Sequence, residues 1–381
     1  MRYFVQVFVA LLFWSFVLCI TLQCGYALYF FTRIFTIPTQ PVTTKSAADP
    51  VSVIICAKNE ARCLEQNLPA ILAQRYTNEA GKTMYEVIVV NDASTDDTAT
   101  VLQAMEQRYD NLWTVHVEAT AARPFKGKKY ALAQGVKYAA NATVLFTDAD
   151  CIPADEYWLQ NMVAPMRAGK EIVVGYGCYA KTAGLLNAFT RWETMHSFLQ
   201  GATYTLAGLP YMAVGRNMAC AKDIFIQAAA SETWNAVPSG DDDLLMAIAA
   251  TAGNTAVVYN SHSYTTTIAK TSWQEWLLQK QRHMSTGKYY KGRIKTLLGI
   301  YAISHAFIWL LFFVLIALGN WNIPLWLMSL RCLLYWAIMA ITSRKLKEAL
   351  LFSLPFFDLG WMLYNFVLSP YIIFKNKTRW T

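Results

Sequence analysis

The sequence predicts an α/β protein in which a mostly parallel, Rossmann-like sheet of short buried strands occupies a polar middle section, with membrane helices at either end. Three observations predict it. Short apolar, β-rich runs alternate with helical patterns between Val51 and Asp148, and each run ends in polar residues. Residues 3–31 contain no charged side chain, and long apolar stretches return after Ile294. The chain of 381 residues, 55% hydrophobic and 14% aromatic, is also too apolar for an ordinary soluble protein of its length.

Residues 3–31 exceed both the roughly 20 residues a helix needs to cross a bilayer and the roughly 7–15 apolar residues of a cleavable signal core. An uncleaved anchor over 1–33 is therefore expected, then a Pro-, Thr- and Ser-containing linker over 34–50. Residues 51–56 read as the first strand, and Leu64, Leu68, Ile71 and Leu72 recur after it at helical spacing. A second strand over 87–90 ends in Asn91-Asp92 before a helix over 98–108. A third strand over 112–117, a helix over 129–140 and a fourth strand ending at Asp148 complete the alternation. A parallel sheet covered on both faces binds its ligands at the strands' carboxyl ends. Those ends carry Asn59, Glu60, Asp92, Asp148 and Asp150, so one polar rim is expected to hold the site.

Beyond the 51–270 section, residues 271–295 mix Trp273, Trp276, Leu277 and His283 with Lys280, Arg282 and Lys288, the pattern of an interfacial amphipathic helix. Residues 297–318 and 321–341 read as further crossings, the latter containing Arg331, an intramembrane cation that should face protein rather than lipid. The rest of the 296–374 section, with Pro355, Asp358, Asn365 and Pro370, either spans or lies in the interface. The net charge of +8 comes partly from Arg33, Lys45, Lys288, Lys291, Arg293 and Lys295 beside apolar segments. That is the positive-inside pattern with anionic headgroups as partner, so nucleic acid is set aside. The chain is expected to be a multi-pass integral membrane protein with its middle section in the cytoplasm, in the inner membrane if the cell is bacterial. A fourth full crossing would place the basic 375–381 tail on the opposite side, against that rule. Eight cysteines with no C-x-x-C pair suggest neither a zinc site nor a disulfide framework.

Two clusters carry chemistry. Asp148 and Asp150, spaced i, i+2 at a strand end, can hold a divalent cation, although a solvated turn has the same pattern. Asp241-Asp242-Asp243 sets like charges side by side, which raises at least one pKa and suits a general base, although a helix cap also looks like this.

Seven runs occur in order: VSVIICAKNE at 51–60, VIVVNDASTD at 87–96, GKKYAL at 127–132, DAD at 148–150, GRN at 215–217, GDDDL at 240–244 and QKQRH at 279–283. Together they resemble the family 2 glycosyltransferases of GT-A fold, with ceramide glucosyltransferase-like and polysaccharide synthase-like members nearest in pattern. The resemblance implies a nucleotide-sugar donor, UDP-sugar foremost with GDP open, and Mn²⁺ or Mg²⁺. It assigns donor contacts to Ala57, Asn59, Glu60, Asp92, Lys128, Asp148 and Arg282, with Asp92 at the nucleobase and Asp148 near the ribose. Asp150, aided by Asp148, falls on the metal, and Arg216, Asn217 and His283 fall on the acceptor side. The family's Glu-Asp-x-(Asp/Glu)-Leu pattern puts Asp241 at the base and Gly240 where a Glu normally stands; a shift of one residue makes Asp242 the base. In QKQRH, His283 replaces the family's Trp, which argues against processive chain extension. The expected function is inverting sugar transfer to a lipid or lipid-linked acceptor. A processive polysaccharide synthase and a non-catalytic scaffold or transporter with a nucleotide-binding domain are the alternatives.

Overall fold

The computed structural model describes residues 2–37, 49–119, 127–235, 240–284, 286–349 and 353–368. Most of the expected 34–50 linker and all of the 375–381 tail lie outside the described residues. After helix α1 (Arg2–Tyr29), the apolar runs become four parallel strands: β1 (Val51–Ala57), β2 (Tyr85–Asp92), β3 (Leu112–Val117) and β4 (Thr143–Asp148). Helices α2 (Ala61–Leu72), α3 (Thr98–Glu106) and α4 (Lys128–Tyr138) connect them. Val53 and Ile55 pack with Leu64, Leu68 and Leu102 on one face of the sheet, whereas Ile54 and Cys56 pack with Ala131, Leu132 and Val136 on the other. Alternate residues of β1 thus feed two separate cores, which is why every residue of the strand except Ser52 is apolar.

β1 pairs with β2 on one side and β4 on the other. The chain therefore runs outward to β3 and reverses across β1, making the topological switch point at which open α/β sheets bind ligands. Cys56 and Asp148 are register partners at that point. Beyond β4 the order continues through β8 (Met218–Ala221), β6 (Ile172–Val174) and β9 (Thr255–Val257), with β8 antiparallel to both β4 and β6. A second sheet contains β5 (Ile152–Pro153), β10 (Thr265–Thr267) and β7 (Gly177–Tyr179).

Among the described residues, three helices are long and apolar enough to cross a membrane: Tyr3–Thr36, α11 (Gly292–Ala317) and α12 (Asn322–Lys345). In the last apolar section the described residues form α13 (Leu354–Leu363), 10 residues that run into a 5-residue π turn. Arg331 faces inward as expected. It is 2% exposed, bonds Asp358 and donates to Gln23 Oε1 at 3.1 Å, while His305 Nε2 meets Asp358 Oδ1 at 2.8 Å. α1, α11, α12 and α13 are thereby tied together through polar groups shielded from lipid.

The 22-residue helix α6 (Leu185–Leu206) had no counterpart among the expected elements. Phe30 stacks on its Tyr204 at 4.3 Å, and its Trp192 stacks on His196 at 5.4 Å beside Tyr301 and Tyr335. One aromatic core therefore runs from the sheet side, through Tyr176 and Tyr259, to the apolar helices. Buried on most sides, α6 shows no clean amphipathic stripe, so periodicity does not reveal it.

Candidate active site

The loops that follow β1 and β2 hold each other. Asn59 and Ala93 adopt left-handed backbone, with φ of 57° and 54°. Thr95 N donates to Asn59 Oδ1 at 2.8 Å, Asn59 N donates to Ser94 Oγ at 2.9 Å, and Ala61 N donates to Asp96 Oδ2 at 3.2 Å. The side-chain oxygen of Asn59, expected at the donor, is thus committed to shaping the neighbouring loop. Ala57 and Asp92 end their strands, each 1% exposed.

Around the switch point the charged side chains converge on one place. Cys56, buried at the end of β1, has its thiol pushed up by burial; Lys128 opposes this, and Asp241, Asp148 and Asp92 add to it. Glu60 is raised by burial, with Asp150 and Asp148 contributing. Lys128, the first residue of α4, forms an ion pair with Asp148. Burial pushes the Asp148 carboxyl up, but Lys128, with Arg216 and Arg282 behind it, outweighs burial and holds the group below its usual range. Acids and cations that lie far apart in sequence therefore share one cleft.

Asp150 follows β4 and accepts a hydrogen bond from Thr267 Oγ1 of β10 at 2.8 Å. Donor atoms of Asp148, Asp150 and Cys151 all lie within 4.8 Å of one another. Burial keeps the Cys151 thiol well above its ordinary pKa, and its S–H points at Asp150 Oδ1 at 3.6 Å. The groups offered are then hard carboxylate oxygens beside a protonated sulfur, a donor set that fits Mg²⁺ or Mn²⁺ better than zinc.

The acid triplet opens α9 (Asp241–Ala249), and its three carboxylates have different surroundings. Asp242 Oδ2 accepts from Gly215 N at 2.8 Å and Oδ1 from Asp243 N at 2.9 Å. Asp243 Oδ2 accepts from Thr286 Oγ1 at 2.7 Å and Tyr290 OH at 2.9 Å. Asp241 has no such hydrogen bond among the described residues, and its charge reaches Lys128 and Lys129. Gly240 has φ +74°, and a Cβ there would collide with the Thr286 methyl. Local crowding thus accounts for glycine where the family pattern has Glu.

Burial, then Asp241, raises Asp242 to about 6; burial, then Asp242, raises Asp243 to about 8. Folding therefore favours the neutral form of Asp243. That contribution to stability is complete below the ordinary carboxylate pKa near roughly 4 and is lost as pH rises through the folded value of about 8. In Asp243→Asn this component should vanish, so the melting temperature of the variant should fall less than that of the wild type between those limits.

Two assignments on the acceptor side change. Asn217 is wholly buried: it accepts from Trp158 Nε1 at 3.0 Å and donates to Tyr176 O at 2.8 Å and Ser263 O at 2.7 Å. No part of its amide is left for a substrate hydroxyl, because the Gly-Arg-Asn loop turns it inward. Asn217→Ala would leave Trp158 Nε1 and Ser263 O buried without their partner, while Tyr176 O keeps its bond from Thr265 N, and should cost roughly 2 kcal/mol or more, read as a lower melting temperature. Arg216 lies on the Asp148–Asp150 side: it donates to Gly177 O, and its guanidinium sits 4.7 Å from the Tyr179 ring centroid. A Cβ at Gly177 would come within 2.6 Å of Arg216 Nε, so the glycine permits this approach.

Arg282 and His283 come from α10 (Trp273–Met284). His283 is exposed, but Trp276 and Lys280 are buried rather than spread over an interface. Lys280 pairs with Glu193 of α6, and Gln279 donates to Tyr179 OH at 3.2 Å, which fixes the helix over the cleft. Sequence reasoning missed Thr267, Glu193, Thr286 and Tyr290. The last two lie just past the QKQRH run, a proximity that could have flagged them; Thr267 and Glu193 have no local signal.

Sheet order, switch point and acidic turn define a GT-A fold. Residues 52–225 match the model for Glycosyl transferase family 2. The poly-beta-1,6-N-acetyl-D-glucosamine synthase of Staphylococcus aureus (strain COL) is 26% identical over 219 residues, covering 54% of this chain and 49% of that protein. The uncharacterized glycosyltransferase YaiP of Escherichia coli (strain K12) is 29% identical over 184 residues, 45% of this chain and 42% of its own. The chain spans about half the length of these curated relatives. Mannosyltransferase PcManGT from Pyrobaculum calidifontis, solved with GDP-Man and Mn²⁺, shares the fold at a TM-score of 0.59 and 17% identity, covering 95% of this chain and 99% of its own.

Proposed function

We propose that the protein is an inverting glycosyltransferase that moves a sugar from a nucleoside-diphosphate sugar, UDP-linked foremost, to a lipid or lipid-linked acceptor at the cytosolic membrane face. The convergence of Asp92, Asp148, Asp241, Lys128, Arg216 and Arg282 at the switch point carries this reading. Asp92 accepts from the nucleobase, and Asp148 serves the ribose side. Arg282 grips the diphosphate with its planar fork. A divalent cation, Mn²⁺ or Mg²⁺, held by Asp150 with help from Asp148, would neutralise the charge that develops on the diphosphate leaving group.

Asp241 takes the proton from the acceptor hydroxyl as its oxygen bonds to the anomeric carbon and the bond from that carbon to the diphosphate breaks. Asp242 and Asp243 are engaged by backbone and hydroxyl donors, so they brace the base instead of replacing it. Proximity supports the acceptor class: α10 carries Arg282 and, through Trp276 and Phe189, packs on the same aromatic core as α11 and α12.

The named S. aureus relative favours a second reading, a processive polysaccharide synthase. Incubating membranes that contain the protein with labelled UDP- and GDP-sugars tests both. Label entering the organic phase as a single added sugar supports the first reading, and long water-soluble polymer supports the second. No transfer from any donor in the presence of Mn²⁺ or Mg²⁺ would refute both.

A further inference from the structure

We propose that Lys128 is a resident stand-in for the divalent cation, closing the acidic turn to free metal until a nucleoside diphosphate arrives. The inference rests on the reading of this cleft as a nucleotide-sugar site. Lys128 Nζ is paired with Asp148 Oδ1, and the two side chains are 21% and 34% exposed, so the pair lines the cleft instead of sealing a core. The same carboxylate lies within the donor cluster of Asp148, Asp150 and Cys151. An ammonium and a divalent cation therefore compete for the same carboxylate.

The rest of the cleft strengthens the competition. Arg216 and Arg282 also act on Asp148, so this acid is already balanced by cations. Asp150 has one oxygen engaged by Thr267 and the other facing the Cys151 thiol. A free cation meets one neutralised carboxylate and one partly engaged one, a poor oxygen set for a metal that prefers six ligands or more. A diphosphate changes the balance. Its oxygens attract Lys128 away from Asp148, draw on the nearby charges of Arg216 and Arg282, and supply ligands of their own. Metal and donor should then enter together, and the ion pair keeps Asp148 in place beforehand.

The test follows free Mn²⁺ by its electron paramagnetic resonance signal during titration of the full-length, detergent-purified protein. The wild type should take up Mn²⁺ only weakly alone and markedly better with UDP or GDP. Lys128→Met should bind Mn²⁺ without nucleotide roughly tenfold more tightly than the wild type, because one adjacent positive charge is gone. Lys128→Arg, which keeps the charge, should behave like the wild type. If nucleotide recruits Mn²⁺ to the wild type but Lys128→Met alone binds no better than the wild type alone, the inference fails while the functional reading stands. If neither UDP nor GDP recruits Mn²⁺ to the wild type, and Asp150→Ala takes up as much as the wild type, both fail.

Discussion

Asp241→Asn is expected to bind donor nucleotide as the wild type does and to lose sugar transfer by a factor of about 10³, within the range a positioned general base supplies. Asparagine keeps the shape of the side chain and one acceptor oxygen but cannot take a proton at neutral pH. The geometry singles out this member of the triplet. Asp242 is bonded to the Gly215 and Asp243 amides, and Asp243 is held by Thr286 and Tyr290. Asp241 has no such hydrogen bond among the described residues, and its charge acts on Lys128. Nucleotide binding measured by calorimetry and transfer measured with labelled donor separate the two effects. An unimpaired Asp241→Asn enzyme would move the base to Asp242 or overturn the role given to this cluster. A variant that loses nucleotide binding as well would make Asp241 part of the donor pocket.

The parts of this site that could be read in the sequence are those written locally. β1 and β2 are apolar runs that end in polar residues, and a parallel sheet fixes where such ends meet, so the rim formed by Asp92, Asp148 and Asp150 follows from the pattern. Arg331 was legible for a similar reason: a cation inside an apolar stretch has few places to go. The misread residues depend on side-chain direction. Asn217 and Arg216 are adjacent, yet one turns into the core and the other toward the acidic turn, and no composition rule separates them. Lys280 looks like a surface cation until Glu193, 87 positions away, is folded beside it. Thr267 reaches Asp150 across 117 positions, through a second sheet whose strands are only two or three residues long.

Asp150→Ala should remove the Mn²⁺-dependent part of nucleotide binding altogether, a loss of roughly a hundredfold or more if the cation stabilises the bound diphosphate by about 3 kcal/mol. The expectation comes from the unequal state of the two acids. Asp148 is already paired with Lys128, whereas the carboxylate of Asp150 is exposed and steadied through one oxygen by Thr267. Asp150 is therefore the carboxylate most able to accept a cation, and its removal leaves a cleft dominated by Lys128, Arg216 and Arg282. Such a cleft should still hold a diphosphate weakly, so binding without metal should change little. Asp150→Asn sharpens the test, because it keeps the volume and the Thr267 contact and removes only the charge. If the Asn variant retains the Mn²⁺ effect and the Ala variant loses it, Asp150 supports the turn instead of holding metal. Equal loss in both places the cation on its carboxylate.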